Sequence, residues 1–510
     1  MTAPLGTVAE LISSGARRHP GRVAVVEAGG RRLSYGHLAD GATRLGNALR
    51  ERGLEPGDRV AVWLEDSVDH VVLYAACALA GLVVAPINVR HTAAEAEHVL
   101  TDSGARALVL GPAVQDKACD ISGIDDLLLV DTGDETDYRA FVESGSVSPL
   151  SEPRPSDLYI LGYTSGTTGR PKGARLTQCS VLNLARINAL SYRLPLGSVA
   201  AMTGSMSFVA VVPAHILTHF YVGGTVVFPG RWDVGSLSAL VEEHRATFTY
   251  APSPLLGEFT EAIRARPAAW SSLTTLLHSA SKAPPEALRN LADVAGASLI
   301  EGWGMTENSG GLMTVTSPVD RAVLGDAVFD TVGRAVAETE VRATDAEGNP
   351  VTADGTTVGE LWVRSPCLAD GYWHQPEATD AAFRQGWFRT GDLGTLDPHG
   401  YVRIADRRTD LIVSGGMNVY PSEVERVILT MPGVAACAVV GLPHPRWGHT
   451  VAAAVVPETG AVLTPEDVTA HCRRFLAGYK KPTIVRIVAS LPMTHSQKIA
   501  RHQVRGLFHG

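Results

Sequence analysis

The stretch Tyr163-Thr164-Ser165-Gly166-Thr167-Thr168-Gly169-Arg170-Pro171-Lys172-Gly173 decides how the chain folds and what it holds. It follows an apolar run at 158–163 that reads as a strand. Its glycines let backbone N–H groups turn toward an anion, four Ser/Thr hydroxyls add donors, and Lys172 brings a point charge. The eleven residues make a phosphate cradle. No Gly-Lys-Ser/Thr triplet is present, which argues against a Walker-type P-loop.

Upstream of the cradle, helical periods at 35–52 and 92–103 alternate with short apolar strands at 59–64 and 107–110. That is the βαβ rhythm of a sheet covered by helices. The longest apolar run, 71–87, contains Gly81 and Pro86 and falls short of the roughly 20 residues a bilayer requires. It reads as a buried helix running into a strand. A proline-rich linker, Pro149-Leu150-Ser151-Glu152-Pro153-Arg154-Pro155, leads into the cradle strand, and the mixed pattern continues through Glu307. Beyond Glu307, short strand-like pieces at 341–344, 360–363 and 401–404 predict a small β-rich subdomain. The charged stretch Asp406-Arg407-Arg408-Thr409-Asp410 then marks a boundary, after which strands (435–440, 451–456) mix with helices (422–429, 465–475). The expected architecture is α/β. A large N-terminal domain over 1–408, made of helix-covered sheets plus the β-rich subdomain, precedes a small α+β domain over 409–510.

Composition narrows the partners. At 510 residues, 45% hydrophobic and 19% charged, the chain can bury large cores and is not disordered. The net charge is −9 and no Lys/Arg block interleaves with aromatics, so nucleic acid is not expected. From Asp410 onward ten Lys/Arg face six acids, a balance of +4, which leaves −13 on the rest. A basic small domain beside an acidic large one suits a polyanionic ligand. The six cysteines lie 35 or more positions apart with no CxxC pair, as free thiols of a reducing cytosol would. Met1-Thr2-Ala3-Pro4 begins no basic-then-apolar leader, and a cytoplasmic location is expected. Only six lysines stand against 38 arginines, so each lysine is worth placing.

Further motifs follow the cradle in order: Gly302-Trp303-Gly304-Met305-Thr306-Glu307, Trp387-Phe388-Arg389-Thr390-Gly391-Asp392, Arg407, Ser414-Gly415-Gly416-Met417-Asn418-Val419-Tyr420-Pro421, and Leu491-Pro492-Met493-Thr494-His495-Ser496-Gln497-Lys498-Ile499. With them the chain resembles the adenylate-forming superfamily of acyl-CoA synthetases, carrier-protein adenylation domains and luciferases, over nearly its whole length. The resemblance implies an acid–thiol ligase that joins a carboxylate to the α-phosphate of ATP, then lets the thiol of coenzyme A displace AMP from the acyl-adenylate. Mg²⁺, ATP and CoA are the implied cofactors, and a small-molecule carboxylic acid is the partner. By the match, Thr164, Ser165, Gly166, Thr167, Thr168 and Gly169 with Lys172 hold phosphates. Glu307 holds Mg²⁺, which favours a carboxylate plus phosphate oxygens, and Thr306 bonds the α-phosphate. Trp303 stacks on adenine, and Asp392 and Arg407 grip the ribose. Lys498 bridges carboxylate and α-phosphate. The C-terminal domain is implied to be mobile about Thr409, presenting first Lys498 and then Gly415-Gly416, whose bare backbone would let a pantetheine arm pass. Arg446, Lys480 and Lys481 are candidates for CoA phosphates.

For the acid, the match puts Phe208 at the family's aromatic or His gate within Ser205-Met206-Ser207-Phe208-Val209-Ala210-Val211-Val212. Val212, Gly302 and Gly310 complete an apolar or small lining, which favours a bulky hydrophobic acid over an amino acid. Four places depart from the family text: Gln497 before the lysine, Ser279-Ala280-Ser281-Lys282 near adenine, Gln178 after the cradle, and Thr409 at the hinge. Gln497 and the adenine-side change bear on ATP. They keep open a ligase that only converts a preformed acyl-adenylate. The motifs also admit an adenylation enzyme that loads a carrier protein, or an acyl- or nucleotide-binding protein without catalysis.

Overall fold

The computed structural model describes residues 6–121, 127–133, 135–164, 171–230, 233–280, 283–296, 299–414, 417–445, 447–494 and 498–508. The chain forms two compact units. Met1–Val341 with Val363–Phe388 make the first, and Arg342–Trp362 with Arg389–Gly510 the second. This grouping follows packing density, and Thr409, where the hinge is expected, falls inside the second unit.

Two sheets organise the first unit. In one, six strands run in the order Leu128–Asp131, Ala107–Leu110, Arg59–Trp63, Val83–Pro86, Leu158–Thr164, Lys172–Thr177, all parallel except the last, which returns antiparallel. The other has nine strands, and six of them are parallel: Leu299–Gly304, Thr275–His278, Phe248–Tyr250, Val199–Ala201, Thr225–Phe228 and Val23–Glu27. The apolar run at 71–87 is a helix, Val68–Ala80, closed by Gly81 at φ +67° and followed by the strand Val83–Pro86. Only glycine takes that left-handed cap without strain. The helix expected over 92–103 is Ala93–Ser103, with Thr92 just outside it in a reciprocal cap with Glu95. Phosphate-binding loops belong at the carboxyl ends of parallel strands, and the cradle leaves Thr164 at such an end.

In the second unit the strand Val434–His444 pairs antiparallel with Gly448–Pro457, and Ile484–Ile487 joins that strand in parallel. The helices Pro421–Leu429 and Pro465–Phe475 cover this sheet through Val424, Ile428, Val468 and Cys472, all fully buried. Ahead of it, Trp387–Leu396 pairs with Val402–Arg407 antiparallel. The helix-covered α/β sheets and the later α+β piece are the expected fold. All six cysteines are free. Among the described residues no helix is long and apolar enough to cross a membrane.

Candidate active site

In the first unit the cradle stands on an antiparallel hairpin that sets Thr164 opposite Lys172. Ser165, Gly166, Thr167, Thr168 and Gly169 lie outside the described residues. The Lys172 Nζ sits 5.4 Å from the centroid of the Tyr372 ring, an attraction between cation and π-face. The Tyr372 hydroxyl donates to Glu307 Oε1 at 2.8 Å. Glu307 is buried, 8% exposed, and its other oxygen takes no hydrogen bond among the described residues. A cation, a ring and a carboxylate thus stand in one row. Tyr372 is pinned there by its backbone bridge to Ala174 in the hairpin's second strand.

Glu307 sits in a tight turn. Thr306–Asn308 form one turn of 3₁₀ helix, and Gly310 N–H closes it on the carbonyls of Met305 and Thr306, both at 3.1 Å. Ser309 occupies the left-handed region at φ +55°, which costs about 1–2 kcal/mol for a residue with a Cβ. Its hydroxyl offsets this by donating to the Cys367 carbonyl at 2.7 Å. Gly162 explains how the parts approach: a Cβ there would lie 2.7 Å from Thr306 Cγ2 and 3.1 Å from Val209 Cγ1. The cradle strand, the Thr306-Glu307 turn and the segment 205–212 therefore meet at a residue with no side chain.

Phe208 is half-buried and packs on the main core, and Val212 is buried at the start of a π-helical stretch, Val212–Leu217. Such stretches recur at functional sites. Gly310 and Gly302 are accounted for by packing. A Cβ at Gly310 would lie 2.6 Å from Ala210 Cα, and one at Gly302 would lie 2.6 Å from Leu312 Cδ1. Trp303 is buried beside them, paired with Thr314 on the antiparallel strand Leu312–Val315. Within the π-helical stretch and just after it, His215 and His219 lie against Tyr192 and Phe248, and burial lowers their pKa values to about 3 and about 4.

The departure at Gln178 has a structural account. Its side chain is fully buried and accepts the N–H groups of Val8 and Ala9 at 3.0 and 3.3 Å, while Nε2 donates to the Ala78 carbonyl at 3.1 Å. With Thr7 Oγ1 taking the Glu10 N–H, Gln178 satisfies the start of the helix Val8–Arg18 from across the sequence. Lys282, Gln497 and Arg446 lie outside the described residues.

In the second unit Asp392 and Arg407 are register partners on antiparallel strands, with Arg407 Nε 2.5 Å from Asp392 Oδ1. Asp392 is buried, and Thr390 Oγ1 accepts its N–H at 3.0 Å while donating to the Leu361 carbonyl at 2.7 Å. Arg389 and Arg408 both grip the buried Glu360, at 2.7 and 3.2 Å, which stiffens the same strand pair. Thr409 is exposed in the turn that follows. Lys498 is also exposed, its N–H donating to Thr494 Oγ1 at 3.1 Å. Arg501, three residues on, holds Glu425 through Nη1 and Nη2 at 2.6 and 3.1 Å and lies 3.3 Å from Asp410. Lys480 is committed to Glu423, both oxygens within 2.8 Å, and that bond raises its pKa. Gly415 and Gly416 lie outside the described residues. Sequence reasoning missed Tyr372, Gly162 and Arg501. The glycine just before the cradle was the one visible signal.

A parallel sheet with a cradle hairpin at its strand ends and a buried carboxylate beside it is the build of a nucleotide-dependent enzyme. The family model for AMP-binding enzymes matches residues 12–373, and that for the AMP-binding enzyme C-terminal domain matches 423–498. A feruloyl-CoA synthase of Amycolatopsis sp is 35% identical over 495 residues, covering 97% of each chain. The long-chain-fatty-acid–CoA ligase FadD13 of Mycobacterium tuberculosis is 32% identical over 498 residues, 93% of each chain. The crystal structure of ATP-bound MatB from Rhodopseudomonas palustris superposes with a TM-score of 0.89 at 28% identity, over 98% of this chain and 99% of that one. The chain belongs to the AMP-binding enzyme family, the adenylate-forming superfamily its motifs resemble, and is an enzyme of the acid–thiol ligase class. ATP, Mg²⁺ and CoA are the cofactors of that class.

Proposed function

We propose that the chain is an AMP-forming carboxylic acid–CoA ligase that takes a bulky apolar or aromatic acid to its CoA thioester through an acyl-adenylate. The observation that carries this reading is the meeting at Gly162 of the cradle strand, the Thr306-Glu307 turn and the apolar segment ending at Phe208 and Val212. It sets a phosphate-binding element against an apolar wall, which is what an acid with a hydrophobic body and a reacting carboxylate needs. The likeness to a feruloyl-CoA synthase over nearly its whole length supports an aromatic body.

The residues present fit Mg²⁺. A buried carboxylate with one oxygen oriented by Tyr372 suits an ion that takes one or two carboxylates and completes its shell with phosphate oxygens. When bound, Mg²⁺ would neutralise phosphate charge. Lys172 and the cradle would hold the phosphates, and Thr306 would bond the α-phosphate. Asp392 would accept the ribose hydroxyls with Arg407 as its brace, and Trp303 would face adenine. Lys498 would contact the acid's carboxylate and the α-phosphate, its charge countering the repulsion between two anions. Thr409 would serve as the hinge between two half-reactions, dividing the chain into working parts at 408/409, and Gly415 and Gly416 would line the path of the thiol. We place the enzyme in a reducing cytosol, as six free cysteines suit.

Purified protein with ATP, Mg²⁺ and a panel of aromatic, long-chain and amino acids tests this directly. Pyrophosphate release with an aromatic acid, followed by its CoA ester, is the expected result. Turnover of synthetic acyl-adenylate without pyrophosphate release would replace the reading by the half-reaction alone.

A further inference from the structure

The loop leaving the strand Arg59–Trp63 carries Asp66, one residue before Ser67, the N-cap of the helix Val68–Ala80. That strand belongs to the six-stranded sheet, which also carries the cradle hairpin. Residues 203–211 leave the strand Val199–Ala201 of the nine-stranded sheet and lead through Phe208 to Val212–Leu217. A single carboxylate oxygen joins the two. Asp66 Oδ1 accepts the Met206 N–H at 2.7 Å and the Ser205 hydroxyl at 3.0 Å. Ser205 Oγ accepts the Ser207 N–H at 3.3 Å, and the Ser205 carbonyl accepts the Phe208 N–H at 2.9 Å. The turn that presents Phe208 is therefore built on the residue Asp66 holds, and the Met206 side chain beside it is fully buried.

We propose that Asp66 is the positioning residue of the acid pocket, fixing the Phe208 turn of one sheet to the rim of the sheet that carries the phosphate cradle. This rests on the reading of 205–212 as the wall of that pocket. Asp66 acts through Ser205 and Met206. An ionised carboxylate holds these two donors more strongly than a neutral acid does, because charge assistance roughly doubles such bonds. Its protonation state therefore sets how firmly the turn is held.

The surroundings make that state variable near neutrality. Burial raises the Asp66 pKa to about 6 and the adjacent Glu65 charge adds to the rise, against the lowering effect of the Met206 and Ser205 bonds. From the helix Val68–Ala80, Tyr74 stands within its field, and His70, bonded to the Glu65 carbonyl at 3.1 Å, has a pKa lowered to about 4 by burial. The segment 205–208 brings only hydroxyls, a thioether and a phenyl ring. Above about pH 6 the carboxylate grips both donors, and below it the turn loosens.

The test uses the full chain as wild type, Asp66→Ala and Asp66→Asn, with kcat, the KM for the acid and the KM for ATP measured from pH 5 to 8. Asn keeps the acceptor and cannot titrate. The expected result is a rise of at least roughly tenfold in acid KM for Asp66→Ala, which loses both bonds to a charged acceptor, with ATP KM and kcat within twofold. Asp66→Asn, a neutral acceptor like the protonated acid, should hold the acid KM near the wild-type low-pH value at every pH, well below that of Asp66→Ala. Equal loss in ATP and acid KM, failure of Asn to rescue, or an inflection that survives in Asp66→Asn would overturn the proposal. Should no acid be turned over by wild type, the functional reading fails and hydrogen exchange decides the rest. Faster exchange across 203–211 in Asp66→Ala alone supports the positioning role, and equal exchange in all three chains refutes it.

Discussion

Tyr372→Phe isolates one bond in the row that links Lys172 to Glu307. The substitution keeps the ring that faces Lys172 Nζ at 5.4 Å and removes only the hydroxyl that donates to Glu307 Oε1 at 2.8 Å. Glu307 is 8% exposed, so water replaces that donor poorly. A hydrogen bond to a charged group is worth about 1.5–3 kcal/mol, which corresponds to roughly a tenfold to hundredfold change in a binding constant. If Glu307 holds Mg²⁺, the change falls on the metal: an unbraced carboxylate spends less time aimed at the ion. The assay is the initial rate of pyrophosphate release against Mg²⁺ concentration at saturating ATP and acid, with thermal stability as control. Half-saturating Mg²⁺ should rise by roughly ten- to a hundredfold, with the rate at high Mg²⁺ nearly preserved and the acid KM unchanged. An unaltered Mg²⁺ requirement in a folded variant would refute the assignment of Glu307. An equal rise in acid KM would show that Tyr372 shapes the pocket instead.

Gln178→Leu should leave two N–H groups and one carbonyl buried without partners, destabilising the chain by roughly 3 kcal/mol or more while the kinetic constants at 20 °C stay put. Denaturant unfolding checks this, and a raised ATP KM with intact stability would contradict it. Asp392→Asn should raise the KM for ATP about tenfold and leave that for the acid alone, since it weakens a charge-assisted acceptor beside Arg407. Acid titration of stability has a definite sign. His70, His215 and His219 have folded pKa values near 4, 3 and 4, below the unfolded value of about 6.5. Their contribution is complete above about pH 6.5 and is lost as pH falls toward 4, at up to about 1.4 kcal/mol per pH unit each. Stability measured from pH 7 to 4.5 should fall steeply, and a flat profile would mean that these rings charge without unfolding.

Secondary structure was legible where one periodicity dominated. Residues 465–475 and 107–110 are the helix Pro465–Phe475 and the strand Ala107–Leu110. The order of strands in the two sheets was not, because no local pattern says that Val199–Ala201 lies between Thr225–Phe228 and Phe248–Tyr250. At the site, the motif residues Lys172, Thr306, Glu307, Asp392 and Arg407 could be named from spacing and resemblance. Tyr372 could not, because its role comes from a long-range bridge to Ala174 and a bond to Glu307, neither of which leaves a mark nearby in sequence. Gln178 shows the converse. It stands beside the cradle in sequence, yet its carboxamide looks away to the helix Val8–Arg18. Gly310 likewise packs closely on Ala210, a contact no local pattern foretells.

The capping of Val8–Arg18 by Gln178 also orders events during synthesis. The helix Val8–Arg18 leaves the Val8 and Ala9 amides to water until Gln178, 170 positions after Val8, has emerged. At translation speeds of about 5–20 residues per second, that is a wait on the order of ten to thirty seconds. Through that interval the segment 8–18 carries an exposed apolar face and lacks its native cap. Slow codons placed shortly after the cradle, or a chaperone that shields the first twenty residues, should raise the yield of native enzyme, whereas the same measures beyond residue 400 should not.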